Sequence, residues 1–380
     1  MSVTTATSPT YTAEELAALG IRPRDTPAVA AYLSAPVDHL AGLPWPFPDD
    51  LERFRYSVNV DPARIPRRTR AGEWGRHVVD LGGADYLTMM AEKRATHERD
   101  PHRTKLRRGM ELACWDLLFY YLRDLALSYP ELMRLTEGVD GDPDAFRWEN
   151  DLLGTDQTFV LGTWDSIPHG PLEFLSREVP DDLLLVTERA GRLYFDAGAV
   201  AFAAAWSVSF DVGMDMYEIH GPVPRMAGEG IVTRAEQFLM RLPADKVYRR
   251  LNWNLAASPT RKFDIALESL PDWGADMAVR GAAGDAIPNV QFRIELEHFI
   301  RLPMTGAVTF NIRSFMASLA ELCEQPAWCD QLAAVIEELP EDIAAYKGFL
   351  DFRDDVVAYL REGPAAQPVT GDLHPRPISQ

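Results

Sequence analysis

Gln291-Phe292-Arg293-Ile294-Glu295-Leu296-Glu297-His298-Phe299-Ile300 is the stretch on which the fold turns. Polar and apolar residues alternate along it with a period of two, the pattern of a β-strand with two unlike faces. It predicts a strand over 291–300 with Glu295 and Glu297 on one side. Further out, 183–186 and 192–204 read as a hairpin joined through Glu188-Arg189-Ala190-Gly191, and 247–255 and 307–312 supply further strands. Helical periodicity lies before and after this block. Leu106, Met110, Leu112, Ala113, Leu117, Leu118, Tyr121, Leu122 and Leu125 recur near every 3.6 residues and predict a helix over 105–135. Other helices are expected over 13–19, 28–34, 232–242, 315–322, 327–338 and 341–360, the last broken at Gly348. Strands gathered in the middle with helices around them predict an α+β fold, not alternating βαβ units.

The 380 residues carry 47% hydrophobic side chains, enough for one large domain or two medium ones. Residues 1–74 read as an N-terminal extension packing on the body, pinned by Leu43-Pro44-Trp45-Pro46-Phe47-Pro48, whose alternate prolines exclude regular helix. Residues 75–362 form the body, and the Pro-rich tail 363–380 is expected to be disordered. No apolar run approaches the roughly 20 residues of a membrane span, and the Ser/Thr-rich start has no basic signal region. A cytoplasmic protein is expected. The net charge of −19 argues against nucleic acid as a partner and suits a cationic small substrate or a basic electron-transfer partner. Cys114, Cys323 and Cys329 have no CxxC spacing and predict free thiols. Gly228-Glu229-Gly230 and 281–284 do not complete a nucleotide-binding glycine pattern.

Of eight histidines, His97 and His102 flank Asp100-Pro101 at a spacing that does not share a helix face, and read as surface residues. His220 is different: it stands in Tyr217-Glu218-Ile219-His220-Gly221-Pro222-Val223-Pro224, where a Pro-braced turn offers the rigid mounting of an axial metal ligand. A lone histidine beside apolar residues also serves as a hydrogen-bonded core residue. Glu295 and Glu297 are either a solvated strand face or carboxylates lining a pocket, where they could hold an alkylammonium ion or relay protons. Arg249, Arg250, Arg293, Arg301 and Arg313 are either sheet-surface ion pairs or a cradle for carboxylates.

Read together, Ala197-Gly198-Ala199-Val200, Trp206, Ile219-His220-Gly221-Pro222-Val223-Pro224, Arg250-Leu251-Asn252-Trp253, Arg293-Ile294-Glu295, Arg301-Leu302-Pro303, Gly306 through Arg313, and Leu339-Pro340 through Gly348 resemble, in order, the heme-dependent oxidative N-demethylase family. The resemblance spans roughly 75–350. It implies a PAS-like antiparallel sheet with surrounding helices binding heme b. His220 would be the iron ligand, with Arg250, Arg293 and Arg313 around the propionates. The activity implied is a heme-dependent monooxygenase that uses O2 to dealkylate an amine to aldehyde and smaller amine. Electrons would come from NADPH through a separate flavin and iron–sulfur reductase. Glu295, Asp182 and Trp206 are the candidates for holding the amine, the last through a cation–π face. The chain departs from the family's usual Arg-x-Glu-Arg-Gln-Thr at Leu296-Glu297-His298, and from its Pro-Ser-Arg-Trp at Ala203-Ala204-Ala205. These changes leave the substrate open and make His298 a rival ligand or a distal group. The alternatives are a heme-binding sensor without turnover, or an enzyme oxidising nitrogen or another C–H bond.

Overall fold

A computed structural model describes residues 10–36, 38–48, 59–83, 85–226, 228–257, 261–269 and 286–362. The tail from Gly363 and the 281–284 glycine stretch lie outside the described residues. Among the described residues, seven strands build one antiparallel sheet: β1 (Asp61–Pro62), β4 (Thr104–Leu106), β8 (Asp182–Arg189), β9 (Arg192–Ala199), β10 (Val247–Ala256), β11 (Gln291–Arg301) and β12 (Val308–Ser318). Their order is β1-β10-β11-β12-β8-β9-β4. Strands Arg67–Arg68 and Glu73–Trp74 pair separately, and Met133–Glu137, Ala145–Asn150 and Thr155–Val160 make a second antiparallel sheet. The fold is α+β, as the alternating block implied.

β11 lies between two long partners, so each of its residues from Gln291 to Ile300 has a neighbour on both sides. Side chains alternate between faces along each strand. One face therefore carries successive rungs across β10, β11 and β12. The first is Tyr248, Phe299 and Phe310, then Arg250, Glu297 and Ile312, then Asn252, Glu295 and Ser314, then Asn254, Arg293 and Met316. β8 adds Leu184 to the first rung and Asp182 to the second. The opposite face carries Arg249, Leu251, Trp253, Ile294, Leu296, His298, Asn311 and Arg313, under which the large apolar clusters gather.

Several local readings differ from this structure. The helix within 105–135 is Glu111–Ser128 only. Residues 104–106 pair with β9 instead, and Pro130 keeps the chain at Tyr129 out of helical geometry. The hairpin turn is two residues long, because Ala190 and Gly191 both take positive φ (50° and 78°), the geometry that lets a tight turn follow the strand twist. β12 runs on to Ser318 where a helix from 315 was expected, since β11 offers pairing partners to its end. His97 is buried and its Nε2 lies 3.0 Å from Ser176 Oγ, so it is not a surface residue. The break at Gly348 is present, with φ +77° between helix Glu341–Tyr346 and the turn at Leu350–Phe352.

Leu43, Trp45 and Phe47 of the arm are buried against the sheet and the C-terminal helices. Trp45 stacks on Trp328 with centroids 4.5 Å apart and planes 5° from parallel, and its Nε1 donates to Gln331 at 2.7 Å. Trp45→Ala removes both the stack and the burial and is expected to lower the unfolding free energy by about 3–5 kcal/mol, read from the denaturant midpoint.

Candidate functional site

The short helix Met216–His220 lies over the Glu295 face of the sheet. Its N-terminus is fixed by a capping box: Asp215 Oδ1 accepts from the backbone N–H groups of Tyr217 (2.8 Å) and Glu218 (3.0 Å), and Glu218 Oε2 accepts from Asp215 N–H (2.8 Å). Arg192 on β9 grips Asp215 at 2.8 Å and lies over the Tyr217 ring. The helix stops at His220: Gly221 keeps helical φ/ψ (−53°, −43°), and Pro222 has no N–H to carry the ladder further. Beyond the turn, Arg225 makes a bidentate pair with Asp342 (both 2.9 Å).

His220 is thereby oriented, and one of its nitrogens is committed. Nδ1 donates to the Met216 carbonyl at 2.7 Å, which makes Nε2 the nitrogen with a free lone pair. No hydrogen bond to Nε2 is found among the described residues. Burial pushes the imidazole below its ordinary range, the hydrogen bond to the Met216 carbonyl opposes this and the Arg250 guanidinium adds to it, which favours the neutral ring. A neutral imidazole with Nδ1–H tied to a carbonyl is the arrangement of a metal-ligating histidine.

The walls around it divide by polarity. Ile219 packs with Leu184, Phe195, Val200, Ile312, Phe310 and Trp206, and Met216 with Val186, Leu193, Phe299 and Tyr248. Phe299 and Phe310 stack at 5.4 Å. Next to this apolar floor come the charged rungs. Arg250 Nε stands 3.2 Å from Glu297 Oε2. Asn252 Nδ2 donates to Glu295 Oε2 at 3.1 Å and Arg293 Nε to Glu295 Oε1 at 3.2 Å. Glu295 and Glu297 are buried, so the solvated-face reading of this pair is corrected. Lys347 donates to the Trp253 carbonyl and faces the same acids; burial brings its ammonium down to about 8.

The sequence candidates separate when their partners are counted. His220, Arg250, Glu295 and Trp206 share the Glu295 side of the sheet. Arg293 also faces this side but is fully buried and committed: its guanidinium donates to Phe263 O (2.8 Å), Phe202 O (2.5 Å) and Ser314 Oγ (2.7 Å) as well as to Glu295. It fixes the site's wall, with four of its five N–H donors taken by these partners. Asp182 is likewise spent, accepting from Ala201 N–H (2.8 Å) and Phe202 N–H (2.9 Å) with Lys93 at 3.5 Å. It shapes the turn that leads to Trp206. Arg313 belongs to the other face; it donates to Asp80 O at 2.8 Å, lies over the Phe315 ring, and lines a separate cavity of about 220 Å³ with His39 and Arg261. His298 also projects to that other face, fully buried, with burial driving its pKa down to about 3, so it does not meet His220. Lys347 was missed by sequence reasoning, because only the C-terminal helices bring it to strands nearly fifty residues or more away in the chain.

These residues fit a heme. An oriented imidazole with a bare Nε2, an apolar floor and one half-buried guanidinium at its polar border match an axial ligand, a flat macrocycle and its carboxylates.

Burial pushes Glu297 up to about 7, with Glu295 adding to the rise and Arg250 and Lys347 opposing it. An acid raised in this way stabilises the fold below its ordinary pKa of 4.5 and loses that contribution as pH climbs to the folded value. Stability should therefore fall between about pH 5 and about pH 7, by at most about 1.4 kcal/mol per pH unit. Glu297→Gln should flatten that slope in denaturant titrations; an unchanged slope would place the titration elsewhere.

Residues 76–357 match the family described as Haem-dependent oxidative N-demethylase, alpha subunit-like. Among the described residues no helix is long and apolar enough to cross a membrane. With its matched region covering most of the sequence, the chain belongs to the heme-dependent oxidative N-demethylase alpha-subunit-like family.

Proposed function

We propose that this chain is the heme-bearing oxygenase subunit of an amine-oxidising system, with a heme b on His220 Nε2 against a PAS-like sheet. The observation that carries the reading is the His220 imidazole, locked through Nδ1 to the Met216 carbonyl at 2.7 Å with the Nε2 lone pair left free, on a helix whose Met216 and Ile219 pack on the apolar sheet face. A heme held there would supply the oxygen-activating, one-electron chemistry that oxidation of a C–H bond beside nitrogen requires.

The chain's own residues do the rest. Arg250, half-buried beside Glu297, pairs with a propionate carboxylate. Glu295, held at both oxygens by Asn252 and Arg293, offers negative charge to an alkylammonium group, and Trp206 offers a ring face. Glu297 holds a proton near neutrality and is the acid best suited to deliver it into the site. Asp182 acts one step removed, by fixing the turn at Ala201 and Phe202 that carries Trp206. Oxygenation beside nitrogen would give a carbinolamine that collapses to an aldehyde and the dealkylated amine. The family description names an alpha subunit, which supports partners that deliver electrons, and NADPH oxidised through a separate flavin and iron–sulfur reductase in the cytoplasm fits a chain without a nucleotide glycine loop.

The test is absorption of the heme-loaded protein as isolated, reduced with dithionite and exposed to CO, followed by reductant-driven oxygen uptake with secondary amines. A Soret band that shifts with CO, and aldehyde formed with the smaller amine, are expected. His220→Ala should lose heme retention, whereas an unaltered heme spectrum in that variant would overturn the ligand assignment. Removing one charge-assisted contact in Arg250→Leu should weaken heme affinity about tenfold to a hundredfold, on the order of 1.5–3 kcal/mol, measured by transfer to an apo-globin acceptor.

A further inference from the structure

Cys323 and Cys329 are separated by Glu324-Gln325-Pro326-Ala327-Trp328, a spacing that carries no redox signature in sequence. Folding brings them together. Cys323 caps the C-terminus of helix Leu319–Leu322, and Cys329 sits in the opening turns of helix Pro326–Glu338. Their sulfurs lie 3.0 Å apart, with the Cys329 thiol donating to Cys323 Sγ. The two are not equivalent: Cys323 is half-buried, while Cys329 is buried in the cluster that contains Trp328. Cys114 is buried without a sulfur partner, and burial pushes its thiol up to about 12.

We infer that Cys323 and Cys329 form a modification site, a dithiol that a peroxide converts to an intramolecular disulfide, with Cys323 as the attacking sulfur and Cys329 as the resolving one. The donated hydrogen bond favours the Cys323 thiolate, and its pKa is lowered for that reason, while the same contact and burial raise that of Cys329. The Cys323 thiolate attacks one oxygen of hydrogen peroxide, the O–O bond breaks, and the products are a sulfenic acid and hydroxide, which takes up a proton as water. Cys329 sulfur then attacks Cys323 sulfur; the S–O bond breaks, the Cys329 proton leaves with the departing oxygen, and a second water is released. Two thiols are oxidised by two electrons and one peroxide is reduced to two waters. Thiols restore the pair by exchange, as a reducing compartment requires. The bridge would join the helix that follows β12 to the helix that carries Trp328, the stacking partner of Trp45.

The experiment treats the folded full-length protein with hydrogen peroxide, blocks remaining thiols with iodoacetamide, and cleaves after glutamate, which cuts at Glu324 between the two cysteines. The expected result is a crosslinked fragment lighter by two hydrogens than the sum of its parts, lost on treatment with dithiothreitol, and formed faster in the folded protein than in denaturant. Cys323→Ser, a change at the half-buried position, should leave Cys329 as an unoxidised thiol. Sulfinic or sulfonic acid on Cys323 with Cys329 still reduced, crosslinks between chains, or equal bridging rates in folded and denatured protein would each overturn the proposal.

Discussion

The strand Gln291–Arg301 puts Arg293, Glu295, Glu297 and His298 in the middle of a sheet that is covered on both sides, and the rest of the molecule is arranged around what that burial demands. An unpaired charge in such a place costs several kcal/mol, so each needs a partner or must be neutral. Arg293 spends its donors on two carbonyls, a hydroxyl and Glu295, and thereby ties the loops at Phe202 and Phe263 to the central strands. Glu295 takes Asn252 from β10 as its second partner. Glu297 has Arg250 beside it and an elevated pKa, and His298 avoids the problem by staying neutral. The polar half of the candidate site is thus the same set of contacts that makes the sheet tolerable to bury.

Much of this frame was legible in the chain because it is local. Local patterning located β10, β11, the start of β12 and the early helices, whose starts the structure shows to be short-range too: the Thr12 and Thr26 side chains accept from backbone N–H groups three residues on. Pairing was not legible. Whether residues 315–318 extend a strand or begin a helix depends on whether β11 offers a partner, which lies outside any local window. The three strands between Met133 and Val160 went unread although Met133-Arg134-Leu135-Thr136 and Phe146-Arg147-Trp148-Glu149 do alternate, because runs of four to six residues are too short to announce a sheet without their partners.

At the site, residue type was legible but commitment was not. The sequence names Arg250, Arg293 and Arg313 as equals. Strand parity sends Arg313 to the other face, and the positions of Phe202 and Phe263 occupy Arg293, so only Arg250 keeps a guanidinium edge toward the His220 side. Asp182 follows the same logic, since its oxygens are taken by two backbone amides that the hairpin places beside it. Local sequence carries the chemistry of a side chain, while tertiary contacts decide how many of its hydrogen bonds remain to be made.

His220 depends on both levels at once. Its ring orientation is short-range, set by a carbonyl four residues back, by the Asp215 cap and by Pro222, all within one turn of helix or its flanks. Its protonation state is partly long-range, set by the burial that tertiary packing imposes and by the charge of Arg250 on β10. Either alone would be insufficient for a ligand. A protonated imidazole has no lone pair to give, and a neutral one free to rotate would pay an ordering cost each time a metal bound. Placing a capped, Pro-terminated helix over a mostly apolar sheet face meets both conditions with five helical residues, on the side of the sheet where Arg250 stands beside Glu297.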